Sequence, residues 1–320
     1  MFYLVAGRTL LIEVFEELTQ HAVAEVFSRW FFNLVPPHIP NATIRIHRAV
    51  DFPTIPLDLS SFEITCGGRC FTDERRYYLK FDDALVFFNT GLQVDLWLSE
   101  TCDCSSSSFV QLLSHALSPA LRRCGVFEIH SAGVIPPESK SAIMIAGASG
   151  SGKSTLTTQL ANLGWSYLSD DILLLTEVRE ELHLRAFRRF FALKGDTLAA
   201  VGLPNVEVTD LKQRLIPQDH FNRAPLEQST PGAIVFPTIT SHGDSQMKAL
   251  TASETMSRLL RLCPWASYDK WTSLEHLRIL GRLANSTNGF ELLAGTDILN
   301  DSNLTAQMFF NITGKAFSAY

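Results

Sequence analysis

Residues 147–155 read GASGSGKST, and this stretch decides the fold. Three glycines, at 147, 150 and 152, permit tight turns and a close approach of the backbone to a ligand. The preceding SAIMIA, residues 141–146, is apolar and carries β-branched side chains, which predicts a buried strand. The following KSTLTTQLANLG, residues 153–164, places Leu156, Leu160 and Leu163 on one face of a helix, with Gly164 as its C-cap. Strand, glycine-rich turn and helix are the setting that the pattern G-x-x-x-x-G-K-[ST] requires. Backbone N–H groups from Gly147, Ala148, Ser149, Gly150, Ser151 and Gly152, together with Lys153, Ser154 and Thr155, are expected to cradle the phosphates of ATP. Lys153 would reach the β- and γ-phosphates and Ser154 would ligate Mg²⁺.

The bulk composition is consistent with this. The chain has 320 residues, 46% of them hydrophobic, enough for a substantial core and two domains. Charged residues make up 19%, and phenylalanine is abundant at 22. A net charge of −6 disfavours nucleic acid as the main partner. No apolar run reaches the length of a membrane span. The start, MFYLVAGRTLLIEVFEELTQ, has no basic leader and carries acidic residues, unlike a secretory signal, so a cytoplasmic location is expected. Cysteines at 66, 70, 102, 104, 124 and 263 lack a usual zinc spacing and are expected to be free thiols. N-x-[ST] sequons, including those at Asn285 and Asn311, carry no meaning in such a location.

Along the chain, 1–125 is expected to be a smaller β-rich module and 126–320 a nucleotide-binding core of mixed α/β type. Residues 11–33 suggest a helix, and ATIRIHRAV, SFEITCGG, RRYYLKF, ALVFFNTG and QVDLWLS suggest short strands. CDCSSSS at 102–108 is a polar joint, and 109–125 is helical with Pro119 as a boundary or kink. VFEIHSAGVIP, at 126–136, leads as a strand or hairpin edge toward the loop. After the loop helix come a strand, Asp170-Asp171 and a second strand, then further β structure to about 196. An irregular excursion is expected over 203–231, then a buried strand GAIVFPTI, then a helical region from a Ser253 N-cap to about 284.

The paired acids are the second chemical signal. Phosphoryl transfer needs a carboxylate for Mg²⁺ and often another that orients or deprotonates the acceptor hydroxyl. Asp170 follows Lys153 by seventeen residues, room for one helix and one return strand. Adjacent strand residues point to opposite faces, so both acids can serve one site only if the strand ends or turns there. A solvated turn would explain the same residues.

The constellation EIHSAGVIPPESKSAIMIAGASGSGKSTLTTQLANLGWSYLSDDILLL, residues 128–175, resembles the HPr serine kinase/phosphorylase family, and most closely its diverged HPr-kinase-related proteins. Some of those relatives phosphorylate peptides in ribosomal peptide pathways. The resemblance implies an HPr-kinase-like core of the phosphoenolpyruvate-carboxykinase type, with Mg²⁺ and ATP as cofactors. It assigns Lys153 to the triphosphate, Ser154 and Asp171 to the metal, and Asp170 to activation of the acceptor. It places His130 beside the transferring phosphate, and association into homo-oligomers is a further implication.

The family's glutamate and arginine-glycine-leucine-glycine signature is absent. RAFRRFFALKGD, 185–196, stands in the comparable region, where Arg188, Arg189 or Lys194 supply positive charge or make unrelated pairings. Ala148 replaces a commonly acidic residue. The resemblance therefore does not extend to phosphorolysis or to HPr as acceptor. The expected function is ATP-dependent phosphoryl transfer to a serine or threonine hydroxyl of a protein or peptide. A nucleotide-binding regulatory protein without efficient transfer and a small-molecule kinase stay open beside it.

Overall fold

The computed structural model describes residues 1–200, 213–221, 223–240 and 243–313. Its contacts divide the chain into two units, Met1–Phe127 with Trp265–His276, and Glu128–Pro264 with Leu277–Tyr320. Both are mixtures of helix and sheet. Among the described residues, no helix is long and apolar enough to cross a membrane. Cys70, Cys102, Cys104, Cys124 and Cys263 are free thiols.

The first unit is built on one nine-stranded sheet. In spatial order its strands are Asn33–Leu34, Phe2–Val5, Arg8–Val14, Ala42–Ala49, Gln93–Ser99, Ala84–Phe88, Tyr77–Lys80, Arg69–Thr72 and Ser60–Glu63. Ala42–Ala49 is parallel to both of its neighbours. Residues 11–14, expected to be helical, extend the strand Arg8–Val14; Leu10 and Ile12 are buried in it, and the helix begins only at Glu17. Pairing with Ala42–Ala49 overrides an apolar spacing that also suits a helix. The helix Ser107–Arg123 is capped by Ser106, whose side chain accepts the Phe109 N–H at 3.2 Å. Pro119 sits inside that helix and does not end it. The helical region expected from a Ser253 N-cap to about 284 is three helices, Ala252–Leu262, Trp265–Tyr268 and Ser273–Ser286. Its cap is Thr251, in a reciprocal capping box with Glu254, not Ser253. Pro264 follows the first of these helices, consistent with a break there. Asp269, fully enclosed, pairs with Arg122 at 3.2 Å and Arg123 at 2.9 Å. Tyr77 Oη donates to the Tyr268 carbonyl and accepts the Lys270 N–H, each at 3.0 Å.

The second unit carries the loop. Its sheet runs Leu173–Val178, Glu181–Ala186, Gln228–Ile239, Ser141–Ala146, Ser131–Ile135, Ser166–Ser169. Ser141–Ala146 is parallel to Gln228–Ile239, with Ile145 opposite Val235, and antiparallel to Ser131–Ile135. Asn288–Ala294 adds a second parallel partner to Gln228–Ile239. Buried between neighbours, Ser141–Ala146 can be apolar on both faces, as SAIMIA is. The helix Lys153–Asn162 packs Leu156 and Leu160 into a core with Ile143, Ile145, Trp165, Tyr167, Phe191 and Phe309. Gly164, at φ +84°, terminates it, and Leu163 beyond the last turn is exposed. Gln159 fastens the helix by donating to the carbonyls of Ile298 and Leu299, at 3.1 and 2.9 Å. The excursion expected over 203–231 falls partly outside the described residues, at 203–212 and 222. Its described part holds a strand, Gln213–Leu215, a short helix, Pro217–Phe221, and the start of Gln228–Ile239.

One buried imidazole gives the first unit a measurable pH dependence. His276 stacks on Phe127 with ring centroids 4.4 Å apart, and both ring nitrogens are buried with no hydrogen-bond partner among the described residues. Burial, reinforced by the Arg122 charge, pushes its pKa down to about 3 from the usual 6.5. Below about pH 6.5 the unfolded chain protonates this ring and the folded unit does not, so stability falls as pH drops from there toward 3. The expected slope is up to about 1.4 kcal/mol per pH unit. Urea denaturation of the protein and of His276→Leu between pH 7 and 5 checks this: the variant should lose the steeper part of the decline. Parallel pH profiles would refute it.

Candidate functional site

The chain turns from the strand Ser141–Ala146 into the helix Lys153–Asn162 within six residues. Gly150 and Gly152 make that possible, with φ of +83° and +93°. Gly147 has a different reason to be glycine. A Cβ there would stand 2.6 Å from Ser151 Oγ, a hydroxyl that is itself buried without a hydrogen-bond partner among the described residues. Gly152 is the helix N-cap and provides no side chain to the first-turn N–H groups. A helix start of this kind favours an anion. Lys153 is only 5% exposed, and its Nζ donates to the carbonyls of Gly147 and Ala148 at 2.8 and 2.9 Å.

A cleft of about 240 Å³ opens over this loop. Ser149, Gly150, Gly152, Lys153, Ser154 and Thr155 line one side of it. His130, Asp171, Ala192, Lys194, Thr197 and Ile239 complete the wall. Of the predicted site residues, His130, Asp171, Lys153 and Ser154 therefore meet in one place.

Asp170 does not reach it. Its side chain is fully buried, and Oδ2 accepts the Ala192 N–H at 3.0 Å. Asp171 turns the other way. His130 Nε2 lies 2.8 Å from its Oδ1, and the Arg188 guanidinium donates to its Oδ2 at 3.2 Å. The His130 side chain is 40% exposed, against 14% for Asp171, so the imidazole is the more accessible member of the pair. The turn that separates the two acids is fixed by Ser169, whose Oγ lies 3.4 Å from the N–H groups of both Asp171 and Ile172.

Ser169 and Ala192 were not singled out by the sequence, nor were Thr197 and Ile239. A serine before an acidic pair is a common turn signal, and Ser169 was visible in that sense. Nothing local marks Ala192, which acts through its backbone, or Thr197, whose Oγ1 lies 3.3 Å from Thr155 Oγ1. Arg188 was noted for its charge, and the structure gives it the Asp171 carboxylate as partner.

The residues fit a triphosphate with its metal: an uncapped helix N-terminus, a glycine loop without side-chain obstruction at 147, and a lysine within the loop. Among the described residues, no three His, Cys, Asp or Glu side chains gather as an all-protein metal cage would need. Mg²⁺ in such clefts takes one or two protein ligands and completes its shell with phosphate oxygens and water. Ser154 and Asp171 both line the cleft and match that requirement.

The strained glycine offers a direct check. Gly152→Ala puts a Cβ in ordinary contact with Ile239, at 3.7 Å, but forces alanine to a φ of +93°. The expected loss is about 1–2 kcal/mol of stability, measured by chemical denaturation. An unchanged midpoint would show that the turn has relaxed to another conformation.

No family model and no curated protein matches the chain. Among solved structures, the Hpr(Ser) kinase/phosphatase from Coxiella burnetii is similar at 12% identity and a TM-score of 0.32, covering 57% of this chain and 94% of that chain.

Proposed function

We propose that the chain is an ATP-dependent kinase that phosphorylates a serine or threonine hydroxyl of a protein or peptide. The observation that supports this is the cleft in which Lys153 and Ser154 of GASGSGKST face the His130–Asp171 pair. In this proposal the second unit is an HPr-kinase-like core. The loop N–H groups and Lys153 bind the phosphates, and Ser154 and Asp171 hold Mg²⁺. ATP, when bound, supplies the phosphoryl group, and Mg²⁺ neutralises charge on it. Lys153, itself buried, adds fixed positive charge at the loop.

The acceptor side is revised from the sequence expectation. Asp170, enclosed and committed to the Ala192 N–H, is a positioning residue for the strand Phe191–Leu193. The acceptor's hydroxyl proton is taken at His130, the more exposed member of the pair, with Asp171 holding the ring and stabilising its protonated form. The enclosure of Asp170 also favours a second reading, nucleotide binding without transfer, because the acid expected to face the acceptor does not line the cleft.

Two variants separate these readings. Lys153→Ala should abolish calorimetric Mg·ATP binding without changing the far-ultraviolet spectrum. Unchanged affinity would remove the phosphate-loop assignment. His130→Asn should keep Mg·ATP binding while transfer of labelled γ-phosphate to a library of serine- and threonine-containing peptides falls about 10²-fold or more. Binding by the unaltered protein with no labelled peptide would favour the regulatory reading.

A further inference from the structure

Lys194 lines the cleft together with the phosphate loop, and neither the loop motif nor the paired acids account for it. Its side chain is exposed, and among the described residues no hydrogen bond or ion pair engages it. The backbone around it is held from two directions. Two residues earlier, the Ala192 N–H is bonded to the buried Asp170 carboxylate at 3.0 Å. Three residues later, Thr197 Oγ1 meets Thr155 Oγ1, in the first turn of the loop helix, at 3.3 Å. The segment 192–197 thus spans from the aspartate end of the cleft to the start of the helix, with Lys194 between its two anchors. The short strand Phe191–Leu193, with Phe191 and Leu193 in the core, stiffens its approach.

We propose that Lys194 is a further catalytic residue that contacts the terminal phosphate of a bound nucleoside triphosphate. This rests on the proposed nucleotide site. Lys194 stands in the chain between an anchor at Asp170, next to the cleft-lining Asp171, and an anchor at Thr155 of the loop helix, and it lines the same cleft as His130, Asp171 and Lys153. The charges support it as well. Asp171 already has the Arg188 guanidinium at 3.2 Å, so the cleft's carboxylate has a cation and does not need Lys194. An ammonium on a flexible stem, held at the rim by a stiff backbone, can follow a phosphoryl group whose charge is redistributed during transfer. Lys194 therefore distinguishes triphosphate from diphosphate, and Lys153 binds both.

The test compares Mg·ATP and Mg·ADP binding by calorimetry in the unaltered full chain, Lys194→Met and Lys194→Arg. Lys194→Met is expected to weaken ATP about tenfold and leave ADP unchanged; Lys194→Arg should restore most of the difference. The transition-state mimic Mg·ADP with aluminium fluoride should lose more affinity in Lys194→Met than ATP does. Equal weakening of ATP and ADP would show a structural or inner-phosphate role, and no change in either would show a solvent-facing lysine; each overturns the proposal alone. If the unaltered protein binds neither nucleotide, the nucleotide site falls and this proposal with it.

Discussion

A carboxylate enclosed by protein must find its compensation inside the fold, and Asp170 is such a carboxylate. Its bond to the Ala192 N–H obliges the strand Phe191–Leu193 to run beside the end of Ser166–Ser169. Much of the cleft follows from that obligation. Phe191 is brought edge-on to Tyr167, with ring centroids 5.1 Å apart. Lys194 and Thr197 are carried to the cleft wall, and Thr197 reaches the loop helix at Thr155. The neighbouring acid is turned outward by the bend that follows Ser169, whose Oγ receives the Asp171 and Ile172 N–H groups. One buried acid thus sets where the exposed one stands. It also means that loss of activity on replacing Asp170 would mix a displaced cleft wall with any loss of chemistry.

The parts of this site that were legible in the sequence are those set by neighbours in the chain. GASGSGKST needs only its own glycines and the apolar strand before it, and the structure places strand, turn and helix where the pattern puts them. The acidic pair was visible, but which acid faces the cleft was not. That choice depends on a backbone amide 22 residues away, contributed by an alanine with no sequence signal. Thr197 and Ile239 were hidden for the same reason: their chemistry is unremarkable until a strand pairing or a turn brings them to the loop.

The fold shows the same division. The helix Ser107–Arg123 was readable from its apolar spacing, whereas residues 11–14 have a spacing compatible with helix and became strand through pairing with Ala42–Ala49. The cap at Thr251 was missed in favour of Ser253 although Glu254 supplies the third-position acid of a capping box, a signal the sequence did contain. The membership of Trp265–His276 in the first unit depends on Asp269 meeting Arg122 and Arg123, a contact across about 146 residues of chain that no local periodicity encodes.

The two charged groups that flank the loop are held in opposite ways, and this bears on what the cleft can accept. Lys153 is tied to the carbonyls of Gly147 and Ala148. Asp171 is tied to a guanidinium, which does offset its charge. A carboxylate beside arginine contributes little net field of its own. The carboxylate therefore adds little to the field of a cleft that Lys153 and Lys194 both line. Within the proposed function, such a lining suits a polyanion lying along the loop.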